Sequence, residues 1–243
     1  MNRISRLVIL GAMALVVSNV AIAASGSAHI EHAGTNVRDT HSLQNGAKLF
    51  VSYCLSCHSA SYMRYNRLAD DLELTEEQVT ENLIFSDAKF GETMKSAMTS
   101  EQGTEWLGKA PPDLSVVARS RGVDWLYSYL KTFYRDEYGA WNNLVFPNAS
   151  MPHVMWRLQG IQKPVYETVG DEEVIDQLIM ETPGLQSPEE YDETVRDLVT
   201  FLEYMSEPAQ LKRKNIGVWV MLFLTVFALL AYALKAEFWR DVH

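Results

Sequence analysis

The run Cys54-Leu55-Ser56-Cys57-His58 constrains this chain most: it holds both cysteines and a histidine directly after the second. C-x-x-C-H is the attachment sequence of a c-type haem. Two thiols three positions apart can each add to one vinyl group of a single porphyrin. The adjacent imidazole is then placed to bind the iron from one face. Other uses of the pair fit less well. A redox disulfide of the thioredoxin kind belongs in a βαβ pattern, which the surrounding sequence lacks. A structural zinc site needs four ligands, and there is no second C-x-x-C to complete it.

The two ends point to export and anchoring. Residues 1–23 have the layout of a signal peptide, with Arg3 and Arg6 ahead of a short apolar stretch and Ala21-Ile22-Ala23 before a cleavage point at Ala24. Residues 216–234 form a 19-residue run without a charge. At a rise of 1.5 Å per residue such a helix is about 28 Å long, enough to cross the hydrocarbon core of a bilayer. Trp219, Tyr232 and Trp239 sit where interfacial aromatics are expected. Lys212, Arg213 and Lys214 precede the span, which by loop charge alone would put that end in the cytoplasm. The signal and the haem motif require the reverse, and a long translocated domain overrides loop charge. The expectation is therefore a single-pass protein of the bacterial inner membrane with its haem domain on the periplasmic side.

Between the ends, residues 24–211 have the size of one domain, with 212–243 as anchor and tail. This region carries 14 Lys+Arg and 29 Asp+Glu, a formal charge of −15. That sign disfavours nucleic acid as a partner. It suits electrostatic steering of a basic protein, with Asp70-Asp71 and residues 171–173 as the densest acidic clusters.

The body reads as helical after an extended arm at residues 24–40. Leu43, Ala47, Phe50 and Val51 recur at helical spacing and run straight into the haem motif. Thr75 and Gln78 form a capping box for a helix over 75–85. Residues 122–134 are read as a helix. Residues 188–205 carry an apolar stripe of Val195, Leu198, Val199, Leu202 and Met205 behind Pro188 at the start. Residues 141–164, with three prolines, are read as loop-rich.

An electron-carrying haem usually has a second protein ligand, and a methionine thioether raises its potential because soft sulfur favours ferrous iron. Met151 is the first candidate, since Pro152 restrains its backbone. Met155 and then His153 follow.

Together these features resemble the cytochrome c1 family. The resemblance rests on Ala110-Pro111-Pro112-Asp113-Leu114-Ser115 followed by Arg119 and Arg121. It also rests on Phe146-Pro147 with Met151-Pro152, and on Thr200-Phe201-Leu202 with Glu207-Pro208 before the span. It covers roughly residues 40–240. It implies an all-α, cytochrome c-like haem domain with a single C-terminal transmembrane helix and one covalently attached haem c. His58 and Met151 would be the iron ligands and Cys54 and Cys57 the points of attachment. Arg121 and Arg119 would face a haem propionate, and Pro112 would pack on the histidine side. Trp125 and Tyr127 would wall the pocket. The implied role is an electron-transfer subunit of an oxidoreductase complex, not an enzyme on its own. It would accept single electrons from a Rieske iron–sulfur protein beside cytochrome b, in the membrane lipid, and pass them to a soluble c-type cytochrome. Two other readings stand beside it: an anchored cytochrome of another respiratory complex such as a terminal oxidase, and a periplasmic thiol oxidoreductase.

Overall fold

The computed structural model describes residues 30–169 and 172–240. The expected signal peptide at 1–23 lies outside them. The body is helical, as expected. Its centre is a crossing of two helices, α1 (Thr40–Tyr53) and a later one, α8 (Pro188–Ser206). Asp39 caps α1 by accepting from Ser42 N, and Leu43, Ala47, Phe50 and Val51 form its buried face. Ser187 and Glu190 close a capping box on α8, with Pro188 in its first turn. The two axes approach closely because residue 46 is glycine. A Cβ there would stand 2.2 Å from the Asp197 carbonyl oxygen and 2.6 Å from Phe201 Cβ. Asp197 also accepts from Ser42 Oγ at 2.6 Å and Asn45 Nδ2 at 3.1 Å, so its charge is spent on the crossing.

Shorter elements surround this pair. After the haem motif come β1 (Ala60–Arg64), α2 (Tyr65–Leu72) and α3 (Glu76–Leu83), the last with the expected Thr75–Gln78 capping box. Next are β2 (Thr93–Met94), antiparallel to β1, and α4 (Ser100–Leu107). Then α5 (Val117–Arg121) and α6 (Val123–Lys131) pack on α8. The helix expected over 122–134 ends at Lys131. Residues beyond it form β3 (Phe133–Arg135), paired with β4 (Trp141–Asn143). The described part of the N-terminal arm, residues 30–39, carries no helix or strand and is tied down. Ala33 N donates to Asp124 Oδ1 at 2.8 Å, and Lys131 Nζ pairs with Glu31 at 2.6 Å and Asp192 at 2.9 Å.

A long ribbon lies outside the helical expectation. A short helix, α7 (Trp156–Gln159), leads into β5 (Gly160–Val169), which pairs antiparallel with β6 (Glu172–Pro183). Its base needs glycine: Gly160 has φ +103, and a Cβ there would lie 2.3 Å from Thr182 O. Pro164 is tolerated because a two-stranded ribbon leaves half its backbone groups facing outward.

The last helix, α9 (Gln210–Phe238), has a charged first turn and is apolar on all faces over residues 216–234. Lys212–Phe238 is long and apolar enough to cross a membrane, with mean hydropathy 2.3 over an 18-residue window none of which is buried in the protein. Arg213, at its start, is held by Glu207 at 2.7 and 3.1 Å, which neutralises one of the three basic residues that oppose the expected orientation.

Candidate haem site

The haem motif is the continuation of α1. Cys54 and Leu55 donate from their backbone N–H to Phe50 O at 2.9 and 3.0 Å, and Cys57 and His58 donate to Cys54 O at 3.0 and 2.8 Å. This turn places two free thiols and the imidazole on one short segment. His58 is then fixed from outside. Its Nδ1 donates to the Pro112 carbonyl at 2.8 Å. That selects the tautomer in which Nε2 carries an open lone pair, the form that a metal-bound histidine needs. Burial pushes the imidazole pKa down, against the Pro112 hydrogen bond and the Asp113 charge, so the ring is neutral at pH 7.

The segment around Pro112 is itself braced. Asp113 accepts from Ser61 N at 3.0 Å and Ser115 N at 2.8 Å, and Ser115 Oγ accepts from Tyr62 N at 3.1 Å. Leu114 N donates to Ser59 O at 2.8 Å. Burial raises the Asp113 pKa, but the hydrogen bonds from Ser115 and Ser61 outweigh it and hold the carboxyl below its usual range. The Pro-Pro-Asp-Leu-Ser stretch therefore acts as a clamp that carries the carbonyl to the histidine.

The thiols are unlike those of a redox enzyme. Cys54 is 8% exposed and sits at the C-terminal end of α1. Burial, then the neighbouring Cys57, pushes its pKa up to about 12. A disulfide-exchanging C-x-x-C needs the opposite, a depressed pKa at an accessible helix N-terminus.

The methionine side is built from aromatic packing. Trp125 and Tyr129, one turn apart on α6, stack at 5.0 Å and 9°. Phe133 meets Tyr129 edge-on at 4.9 Å, and Phe146 meets Trp125 edge-on at 6.2 Å. Met151, half-buried, brings its sulfur to 3.5 Å from the Tyr129 hydroxyl, which donates to it. Burial pushes the Tyr129 pKa up to about 12, so that hydrogen is present at neutral pH. Met155 and His153, the other two candidates, are buried, and the His153 Nε2 has no hydrogen-bond partner among the described residues. Met155, 1% exposed, packs in the main core. His153, 2% exposed, stacks on Phe133 at 5.1 Å and meets Trp141 edge-on at 5.5 Å. Burial, partly offset by Gln159, pushes its pKa down to about 4. Met63, Met94 and Met205 are core residues. Met98 lines a cleft of about 240 Å³ with Cys57, Ser59, Ser61 and Pro111, on the histidine side.

Arg119 and Arg121 are exposed and, among the described residues, neither pairs with a carboxylate. The Arg121 guanidinium lies over the Trp125 ring at 5.0 Å and the Phe146 ring at 5.7 Å. The two rings hold its charge beside the aromatic wall.

One residue of the sequence reading is displaced and two go beyond it. Tyr127 was the expected wall, but it points into the helical core, and Tyr129 takes the place beside Trp125. The signal was available, because residues one turn apart share a helix face and residues two apart do not. Asn143 is fully buried and organises the loop under Phe146: its Oδ1 accepts from Val145 N and Phe146 N at 2.9 Å, and its Nδ2 donates to Tyr129 O at 2.8 Å. No local pattern marks it.

The chemistry of these residues fits haem c: two reduced thiols at the right spacing, a neutral imidazole with its Nδ1 already hydrogen-bonded, and a thioether beside an aromatic wall. Comparisons with known proteins agree. Residues 31–242 match the Cytochrome C1 family. The chain is 46% identical to cytochrome c1 of Allochromatium vinosum, over 98% of its own length and all of the relative. It is 45% identical to a protein named ammonia monooxygenase gamma subunit in Nitrosomonas europaea, over 84% of this chain and 85% of that one. It is 24% identical to cytochrome c1 of Rhodospirillum rubrum, over 94% and 97% respectively. With the histidine clamp, the methionine wall and the apolar C-terminal helix in place, the chain belongs to the cytochrome c1 family.

Proposed function

We propose that this chain is the membrane-anchored c-type cytochrome of a bc1 complex, accepting single electrons from a Rieske iron–sulfur protein and passing them to a soluble c-type cytochrome. The observation that carries the reading is the hydrogen bond from His58 Nδ1 to Pro112 O at 2.8 Å, which leaves the Nε2 lone pair free for a metal. Bound haem c supplies a one-electron ferric–ferrous couple. The residues of the chain hold, tune and present it. Cys54 and Cys57 would hold the porphyrin through their thiols, by redox-neutral addition to its vinyl groups. His58 and Met151 would hold the iron, with the aromatic wall beside Met151 keeping water away from it. Arg121, held over Trp125, and Arg119 meet the propionates, which a guanidinium matches in geometry.

Residues 24–211 form the exported haem domain on the periplasmic side, and 212–243 the single anchor and tail in the membrane lipid. Cytochrome b and the Rieske protein are the partners within the membrane. The acidic clusters offered for the soluble partner are not equivalent. Asp71 is engaged by Arg67 at 2.9 Å and by the Tyr204 hydroxyl at 2.8 Å, whereas Asp70 is exposed. Of residues 171–173, Glu173 is exposed and Asp171 lies outside the described residues.

Purification from native membranes tests the reading. The chain should stain for haem on a denaturing gel, lose the stain in the Cys54→Ser/Cys57→Ser double variant, and co-purify with cytochrome b and a Rieske protein. Co-purification with copper-oxidase subunits instead would contradict it.

A further inference from the structure

The Tyr129 hydroxyl is aimed at the Met151 sulfur at 3.5 Å, and among the described residues it donates to nothing else. Its ring has little freedom to turn away. It is stacked on Trp125 at 5.0 Å and met by Phe133 at 4.9 Å, and its own carbonyl accepts from the buried Asn143 at 2.8 Å. Met151, by contrast, lies in a loop between β4 and α7 with few other restraints. A thioether sulfur has two lone pairs. One can bind a metal while the other accepts a hydrogen bond.

We propose that Tyr129 is a positioning residue that holds the Met151 sulfur toward the iron and, by donating to its second lone pair, shifts the couple toward the ferrous state. This rests on Met151 being the sixth ligand. A hydrogen bond draws electron density from sulfur and makes it a poorer donor. Ferric iron, the more demanding acceptor, loses more from that than ferrous iron does. The effect is local to one hydroxyl, because Phe at this position would keep both ring contacts.

The test uses the full-length, haem-loaded protein and two readouts: the near-infrared sulfur-to-iron absorption and the midpoint of an optical redox titration. Tyr129→Phe should keep the absorption but shift its position. It should reduce the ferrous preference about two- to tenfold, the effect of one ordinary hydrogen bond, or up to about 59 mV for a one-electron couple. Tyr134→Phe, at another buried tyrosine on the adjoining strand, should change neither. If Tyr129→Phe fails to load haem, the unaltered protein carries the test, since exchange from water into heavy water should shift the same absorption. A band and a midpoint that ignore both the substitution and the exchange would overturn the role of Tyr129 and leave Met151 as ligand. Absence of the band in the unaltered protein, or its survival in Met151→Leu, would instead remove Met151 and this proposal with it.

Discussion

The two sides of the haem site are held by different physics. On the histidine side, a continuous set of backbone and carboxylate hydrogen bonds runs from Phe50 through Cys54 to His58, and from Ser59 and Ser61 through Asp113 to Pro112. On the methionine side, Met151 is located by ring stacking and one hydroxyl. Hydrogen bonds fix direction closely, and aromatic faces fix it loosely. A c-type cytochrome gains from that asymmetry. In the proposed site the histidine beside the attachment cysteines would be held rigidly, and the methionine would be a soft donor whose surroundings help set the potential.

Several substitutions can break or sharpen this contrast. The largest effect should come from Gly46→Ala, which forces a Cβ into the α1–α8 crossing that carries the histidine side. Overpacking of this kind costs about 2–3 kcal/mol. In a domain of this size that lowers the thermal midpoint by roughly 5–10 °C. Calorimetry of the haem-loaded protein checks it, and an unchanged midpoint would mean that the crossing is looser than described.

Asp113→Asn should do less, about 1 kcal/mol, because one of two accepted hydrogen bonds is lost at a solvent-facing carboxylate. The sign with pH follows from the depressed pKa of Asp113. Its contribution is complete above the ordinary aspartate value of about 3.9 and drains away as pH falls through the lower folded value. The gap in unfolding midpoint between the natural protein and the variant should therefore close as pH is taken down through that window. A gap that is constant with pH would show that the Asp113 charge does not hold the clamp.

The smallest effect should leave both sides untouched. Charges on the acidic surface act over about 8 Å at physiological ionic strength, so added salt should slow electron transfer to a basic soluble cytochrome several-fold. The absorption spectrum should stay the same. A rate in stopped flow that is flat in salt would leave the acidity as a solubility feature.

The contrast also explains what was legible in the sequence. The histidine side is local: five consecutive residues state the chemistry, and the helix ahead of them repeats apolar residues at the right spacing. The capping box at Thr75 is equally local and appears as read, and Pro188 stands in the first turn of its helix, behind a Ser187–Glu190 box that the same pattern could have found. Choosing Met151 over Met155 rests on Pro152 in the sequence; in the structure Met155 is buried in the core and Met151 is half-buried. The place of Tyr129 beside Trp125 follows helix spacing, but its contact with Met151 and the bond from Asn143 to its carbonyl join residues on separate elements, which no spacing rule records. The ribbon of β5 and β6 went unread because it is exposed on both faces, so no alternation of apolar residues marks it, and Pro164 argued for a loop. The Gly170-Asp171 pair between two β-rich runs was the signal that could have found it.

The central claim is that one covalent haem c lies between His58 and Met151. Optical spectroscopy of the unaltered protein and of Met151→Leu tests it most directly. The account predicts a near-infrared sulfur-to-iron absorption in the first. In the second, it predicts loss of that absorption and a lower midpoint potential, with the haem still covalently attached. An unchanged spectrum and midpoint in Met151→Leu would contradict it.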